Sequence, residues 1–232
     1  MIARTVQSIV SGAVLLASWA ACAGGGVQSG WQEEFGLSNC KLTSTGRNPY
    51  FVLEPGFQLV LEGGGVTLQI TVLDETKTVD GVVTRVVEEK ESKNGNLIEI
   101  ARNYFAICDQ TKDVFYFGEE VDFYENGKVV KHDGSWLAGT NGNKPGLIMP
   151  GTPKQSMKYY QELAPGVAMD RAEIVSLKET CKTPAGTFAQ CLKIKEGSAI
   201  DLGASEHKYY APGIGLVMDA ELQLTKHGFK KG

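Results

Sequence analysis

The side chains that most often carry catalysis are few in this sequence and widely separated. The three histidines, His132, His207 and His227, stand far apart, and none belongs to an H-E-x-x-H zinc motif. No G-x-S-x-G motif presents a serine nucleophile. We therefore predict no catalytic residues, no metal site and no cofactor, although residues distant in sequence can still converge in a fold.

Acidic residues cluster at two places, Glu88-Glu89 with Glu91 and Glu119-Glu120 with Asp122. A glycosidase needs two carboxylates that face each other across a cleft. Neighbours on a strand point to opposite faces, so Glu119 and Glu120 do not form such a pair. Glu120 and Asp122 share a face if that segment is extended. The pair then marks either a solvated strand end or a weak calcium site.

Four of the five cysteines predict two disulfides. Cys181 and Cys191 flank a tight turn around Pro184-Ala185-Gly186, so a hairpin would bring them together and leave Cys40 to pair with Cys108. Such bonds persist in oxidising compartments. Because the sequence has no C-x-x-C pair, the spacing does not indicate a zinc site.

The first 21 residues have the pattern of a signal peptide. Arg4 supplies the positive start, an apolar stretch covers residues 9–17, and small residues precede Cys22. The apolar stretch is too short to remain as a membrane-spanning helix. We therefore predict a signal peptide at residues 1–21 and an exported protein.

Cys22 follows two alanines, as in the bacterial lipobox, where the cysteine becomes diacylated and N-terminal. Trp19 stands where such boxes usually carry an aliphatic residue, so ordinary cleavage after Ala20 or Ala23 is the alternative. Residues 22–39 begin with a glycine-rich run and are predicted to be a flexible tether. Lipidation would anchor the protein to the membrane, as an outer-membrane lipoprotein, whereas simple cleavage would leave it periplasmic or secreted.

Strand signals fill the rest of the chain. Residues 66–72 alternate apolar and polar side chains, and the dipeptides Asp80-Gly81, Asn94-Gly95 and Asn126-Gly127 separate further runs rich in Val, Ile, Tyr and Phe. Alternation over residues 214–225 predicts one long strand. Residues 40–228 are therefore predicted to form a single all-β domain, a curved antiparallel sheet arranged as a meander, half-barrel or sandwich.

Residues 132–170 differ, because glycine and proline are dense and apolar residues stand between them. A long irregular segment in a compact domain is usually disordered or functional, and the apolar content argues against disorder. We predict that the segment caps the open side of the sheet and contributes to ligand binding. The residues proposed for this role are Trp136, Leu147, Ile148, Met149, Tyr159 and Tyr160.

Three segments together resemble a family of bacterial secreted proteins and lipoproteins of uncharacterised function. They are N-P-Y-F at 48–51, K-P-G-L-I-M-P-G at 144–151, and P-A-G-T-F at 184–188 followed by K-Y-Y-A-P-G-I-G-L-V at 208–217. The P-A-G-T-F and K-Y-Y-A-P-G-I-G-L-V segments also resemble hairpins of LolA-like periplasmic half-barrels. The resemblance implies an exported β-rich protein but supplies no reaction, ligand or catalytic residue.

The net charge of −4 gives the chain no electrostatic reason to bind nucleic acid. The sequence favours an envelope protein that binds a lipid or another apolar or amphipathic small molecule on the concave face of its sheet. A structural or protein-interaction module without a small ligand is the alternative, and a hydrolase is the third possibility. The oligomeric state is left open.

Overall fold

The computed structural model describes residues 30–203 and 205–230. The predicted signal peptide and Cys22 lie outside these residues. Within the described ranges the chain forms one short 3₁₀ turn at Leu37–Asn39 and otherwise strands. The strands are β1 (Leu42–Thr43), β2 (Gly46–Asn48), β3 (Phe51–Leu53), β4 (Phe57–Gly63), β5 (Val66–Val79), β6 (Val82–Lys93), β7 (Asn96–Cys108), β8 (Val114–Glu125), β9 (Lys128–Lys131), β10 (Trp136–Leu137), β11 (Gly146–Met149), β12 (Lys158–Tyr160), β13 (Asp170–Thr183), β14 (Gly186–Ser198), β15 (Ser205–Ala211), β16 (Gly215–Asp219) and β17 (Leu222–Phe229). No helix in the described part of the chain is long and apolar enough to cross a membrane.

Fifteen of the described strands form one curved antiparallel sheet that does not close into a barrel, which confirms the predicted all-β class. The order across it is β10-β8-β7-β6-β5-β4-β17-β16-β15-β14-β13-β12, with β1 added to β7 and with β9 and β11 added to β8. β2 and β3 form a separate hairpin. The two halves of the chain meet where β4 pairs with β17, so the final strand completes the middle of the sheet.

The turns follow the predicted dipeptides. Asp80, Asn94 and Asn126 adopt positive φ angles of 47°, 50° and 52°, the left-handed conformation that two-residue hairpins require. Each of these residues is followed by glycine, which adopts a positive φ angle without a steric cost because it has no Cβ atom. These turns fix the register of β5 with β6, β6 with β7 and β8 with β9, and therefore the face to which each side chain points.

The predicted single strand over residues 214–225 is wrong. The chain turns at Ala220 and Glu221, and Ala220 has a φ angle of 49°. The turn places Asp219 opposite Leu222, so that β16 and β17 form a hairpin. Paired residues share a face, so the inward side changes from the odd-numbered Asp219 before the turn to the even-numbered Leu222 after it. A simple alternation cannot reveal this change of parity.

Residues 30–39, which the sequence assigned to a flexible tether, lie against the sheet. The backbone of Gln32 hydrogen-bonds to both Lys158 and Tyr160 and so adds to the edge of β12. The ring of Trp31 packs 4.6 Å from the Arg171 guanidinium carbon. These backbone and aromatic contacts hold Gln32 and Trp31 against β12 and β13.

One disulfide joins Cys40 to Cys108, as predicted, with 5.2 Å between the Cα atoms. The second predicted disulfide is absent: Cys181 and Cys191 are buried free thiols. Cys181 lies opposite Phe188, whereas Cys191 lies opposite Glu179, because the register shifts between these pairs. The Cys191 thiol donates a hydrogen bond of 3.4 Å to the Phe188 carbonyl, and burial raises the pKa of Cys181.

The segment 132–170 links the two edges of the open sheet. Its strands β10 and β11 pair with β8 at one edge, while β12 pairs with β13 at the other. Between these edges, Lys144 and Leu163 form an isolated antiparallel β-bridge through their backbones. A Cβ atom at Gly146 would lie 2.1 Å from the backbone oxygen of Gln161, so only glycine permits this close approach. The segment thus contains short strands that its glycine and proline content did not predict.

Candidate functional site

The concave face of the sheet contains an open cleft with a cavity volume of about 100 Å³. Apolar side chains make up most of its lining, with a smaller set of charged side chains among them. The lining residues are Phe51, Val52, Phe57, Leu59, Leu68, Ile70, Val72, Val87, Glu89, Glu91, Glu99, Phe105, Ile148, Lys208, Tyr210, Ile214, Gly215, Leu216 and Asp219.

Strand alternation places these side chains on one face. Leu68, Ile70 and Val72 occupy every second position of β5. On the adjacent strand β6, Glu89 lies directly opposite Ile70, and Val87 lies opposite Val72. Directly opposed residues project from the same face of a sheet, so all five point into the cleft.

The cleft is amphipathic along its length. Val87 and Phe105 mark the apolar end of β6 and β7, whereas Glu91 lies directly opposite Glu99 at the other end of these strands. On the far side of the cleft, Asp219 stands at the end of β16. Carboxylates therefore gather at one end, and aliphatic and aromatic side chains surround the other end.

Lys208 organises the charged end. Its Nζ atom lies 3.1 Å from Glu196 Oε2, 3.4 Å from Glu206 Oε1 and 3.5 Å from Asp219 Oδ2. Lys208 on β15 is directly opposite Asp219 on β16, which explains that contact. The amide of Gln161 donates a hydrogen bond of 2.8 Å to Glu196 Oε1. One buried ammonium group thus contacts three carboxyl groups.

These contacts change the pKa values in opposite directions. Burial alone would lower the pKa of Lys208, but Asp219 and Glu196 outweigh burial and hold it well above the ordinary value. Burial raises the pKa of Glu196, but the charge of Lys208 and the hydrogen bond from Gln161 act against burial, and the pKa is lowered to about 2. Lys208 and Glu196 therefore form a buried ion pair that stays charged at neutral pH.

Two carboxyl groups in the cleft behave differently. Burial raises the pKa of Glu89 to about 7, although Lys208 opposes the shift. Burial also raises the pKa of Asp219 despite its contact with Lys208. A cleft carboxyl group that titrates near neutrality is suited to acid–base chemistry or to holding a cation, because its charge responds to what is bound beside it.

The six residues proposed for ligand binding are all buried, with exposures between 0% for Met149 and Tyr159 and 7% for Tyr160. Of these six, Ile148 alone lines the cleft within the described residues. The ring of Trp136 packs edge-on against Tyr116, with 5.4 Å between centroids. Segment 132–170 therefore supplies core packing at the edges of the sheet and a single cleft residue.

The second acidic cluster is divided among separate partners. Glu120 contacts both the Lys77 ammonium and the Tyr104 hydroxyl. Asp122 lies 2.7 Å from His132 Nδ1. These partners take up the carboxylate oxygens that a calcium ion would need. No three His, Cys, Asp or Glu side chains in residues 30–203 and 205–230 converge to hold a metal ion.

Sequence reasoning missed the charged residues of the cleft. Glu89 and Glu91 were noted as a cluster, and because they share a strand face, strand parity could have placed them together. Lys208 and Asp219 had no such signal, since their contact depends on hairpin register.

No protein-family model, curated protein or solved structure matches this chain.

Proposed function

We propose that this chain is a binding module that holds an apolar or amphipathic small molecule in the concave cleft. The observation that carries the proposal is the cleft itself, which lies on the concave face and is lined mainly by apolar side chains. Small-molecule sites are typically concave and combine an apolar lining with a few oriented polar groups. An apolar chain that fills the cleft would remove this surface from water, which favours binding.

The exported location is part of the same proposal. The Cys40–Cys108 disulfide supports it, because such bonds persist mainly in oxidising compartments. In this proposal the chain acts in the bacterial envelope, either anchored through a lipid on Cys22 or free in the periplasm or outside the cell. Cys22→Ser tests the anchor: it should move the protein from the membrane fraction to the soluble fraction.

A titration of the purified protein with N-phenyl-1-naphthylamine, a neutral apolar fluorophore, tests the binding function. The parent protein should enhance the fluorescence with saturable 1:1 binding. Ile70→Trp fills the cleft and should weaken binding at least tenfold. Gln69→Trp is the matched control, because the neighbouring position on β5 points to the opposite face, and it should bind as the parent does.

The outcome depends on the difference between these two variants. Equal binding by Ile70→Trp and Gln69→Trp, or no saturable binding by the parent protein, would contradict the proposal. Thermal unfolding of both variants shows whether each is folded at the temperature of the titration.

A protein-interaction module is the second candidate, and one surface favours it. Val167, Ile200 and Leu202 are exposed, Leu202 by 81%. Their loops are neighbours, since the Ala199 amide donates a hydrogen bond of 2.9 Å to the Met169 carbonyl. Exposed apolar side chains on neighbouring loops are typical of contact surfaces. A Leu202→Ser change that abolishes co-purification of a partner, with fluorophore binding unchanged, would favour this candidate.

A further inference from the structure

The charged end of the cleft carries more acidic than basic groups. Glu89, Glu91, Glu99 and Asp219 line it, and Lys208 is the one basic residue among the described lining residues. The ammonium group of Lys208 also contacts Glu196 and Glu206, which lie behind it. Lys208 is therefore shared among several carboxyl groups, and little of its positive charge is left for a ligand.

One carboxylate oxygen at this end, Oδ1 of Asp219, lacks a hydrogen bond from the described residues. Asp219 is 3% exposed, and its Oδ2 atom contacts Lys208 at 3.5 Å. Its Oδ1 atom is buried and has no hydrogen-bond partner among the described residues. A buried carboxylate oxygen without a donor is costly, so such atoms are usually satisfied. Because Asp219 lines the cleft, a ligand that carries a hydrogen-bond donor can reach the end at which this atom lies.

The neighbouring strand β6 adds a second carboxyl group to this end of the cleft. Glu91 on β6 lines the cleft, as Asp219 does. Burial raises the pKa of Glu91, with a further contribution from the charge of Asp219. A cation held between β6 and Asp219 would relieve the repulsion between Glu91 and Asp219. An anionic head group would instead add to it.

We propose that the ligand is a lipophilic amine, whose apolar chain lies between Val72, Val87 and Phe105 and whose ammonium group donates a hydrogen bond to Asp219 Oδ1. This inference rests on the proposed binding function and specifies its ligand class. The apolar and acidic ends of the cleft match the two ends of such a molecule. Neutral alcohols meet the hydrogen-bonding requirement of Asp219 but not the charge of the site, and carboxylates meet neither.

Three amphiphiles with the same ten-carbon chain test the inference by displacing N-phenyl-1-naphthylamine from the purified protein at pH 8. Decylammonium should bind at least tenfold more tightly than decanoate, with decan-1-ol between them. Asp219→Asn should weaken decylammonium binding about tenfold and change decan-1-ol binding less than twofold. Glu89→Gln should also narrow the preference for decylammonium over decanoate, and this variant serves if Asp219→Asn does not fold.

Glu88→Gln is the matched control, because Glu88 points to the opposite face of β6, and it should keep the full preference for decylammonium. Decanoate binding as tightly as decylammonium would overturn the amine assignment and leave the binding function intact. Failure of all three decyl compounds to displace the fluorophore, or to bind directly, would count against the binding function itself. An unchanged preference in both Asp219→Asn and Glu89→Gln would overturn the assigned position of the ammonium group.

Discussion

Glu89→Gln is the substitution that tests the electrostatics of the cleft most simply. Burial raises the pKa of Glu89 from 4.5 to about 7 in the folded protein. Between these two values the unfolded chain has lost the proton and the folded chain keeps it. The unfolded state then binds fewer protons, so the free energy of unfolding falls as the pH rises from 4.5 to 7.

The size of the effect follows from the same shift. A difference of about 2.5 pKa units, at 1.36 kcal/mol for each unit, corresponds to about 3 kcal/mol. Glutamine resembles the protonated carboxyl group in shape and stays neutral. Glu89→Gln should therefore match the parent protein at pH 4.5 and exceed its free energy of unfolding by about 3 kcal/mol at pH 8.

Urea unfolding at pH 4.5, 6 and 8 measures this difference, with Glu88→Gln as the control on the opposite face of β6. The control should retain the loss of stability that the parent shows between pH 4.5 and 7. If the difference between Glu89→Gln and the parent is the same at all three pH values, Glu89 does not titrate near neutrality. The description of the charged end would then be wrong.

Three further changes test the framework around the cleft by urea unfolding. Replacing both Cys40 and Cys108 with alanine opens a loop with a sequence separation of 68 and should cost about 4 kcal/mol; a loss below about 1 kcal/mol would contradict this. Lys208→Met leaves buried carboxylates without their cation and should cost about 3–5 kcal/mol, part of which Glu196→Gln should restore in the double variant. Asn48→Ala removes side-chain hydrogen bonds to two backbone oxygens and should cost about 2 kcal/mol, whereas Asn126→Ala at an exposed turn should cost less.

The sheet could be predicted from the sequence because its signals are local. The alternation at 66–72 and the turn at Asn94-Gly95 define neighbouring strands, and both are present in the structure. The failure at 214–225 has a physical cause: a two-residue turn at Ala220 carries neither glycine nor proline. Its apolar pattern continues through the turn, so that a hairpin has the same pattern as one strand.

The cleft could be predicted only in part because it depends on contacts between distant strands. A concave binding face was expected, and the parity of Glu89 and Glu91 was available from their spacing. The contact between Lys208 and Glu196 depends on the register of β14 and β15. The burial of Trp136 and Met149 as core residues depends on where segment 132–170 meets the edges of the sheet, which its composition does not determine.

A crystal structure of the protein with 10-bromodecan-1-ol tests the central claim most directly, because anomalous scattering locates the bromine atom at the end of the apolar chain. We predict a bromine peak beside Val72, Val87 and Phe105, with the hydroxyl group at Asp219. A bound ligand whose bromine lies outside the cleft, for example against Leu202, would contradict the account.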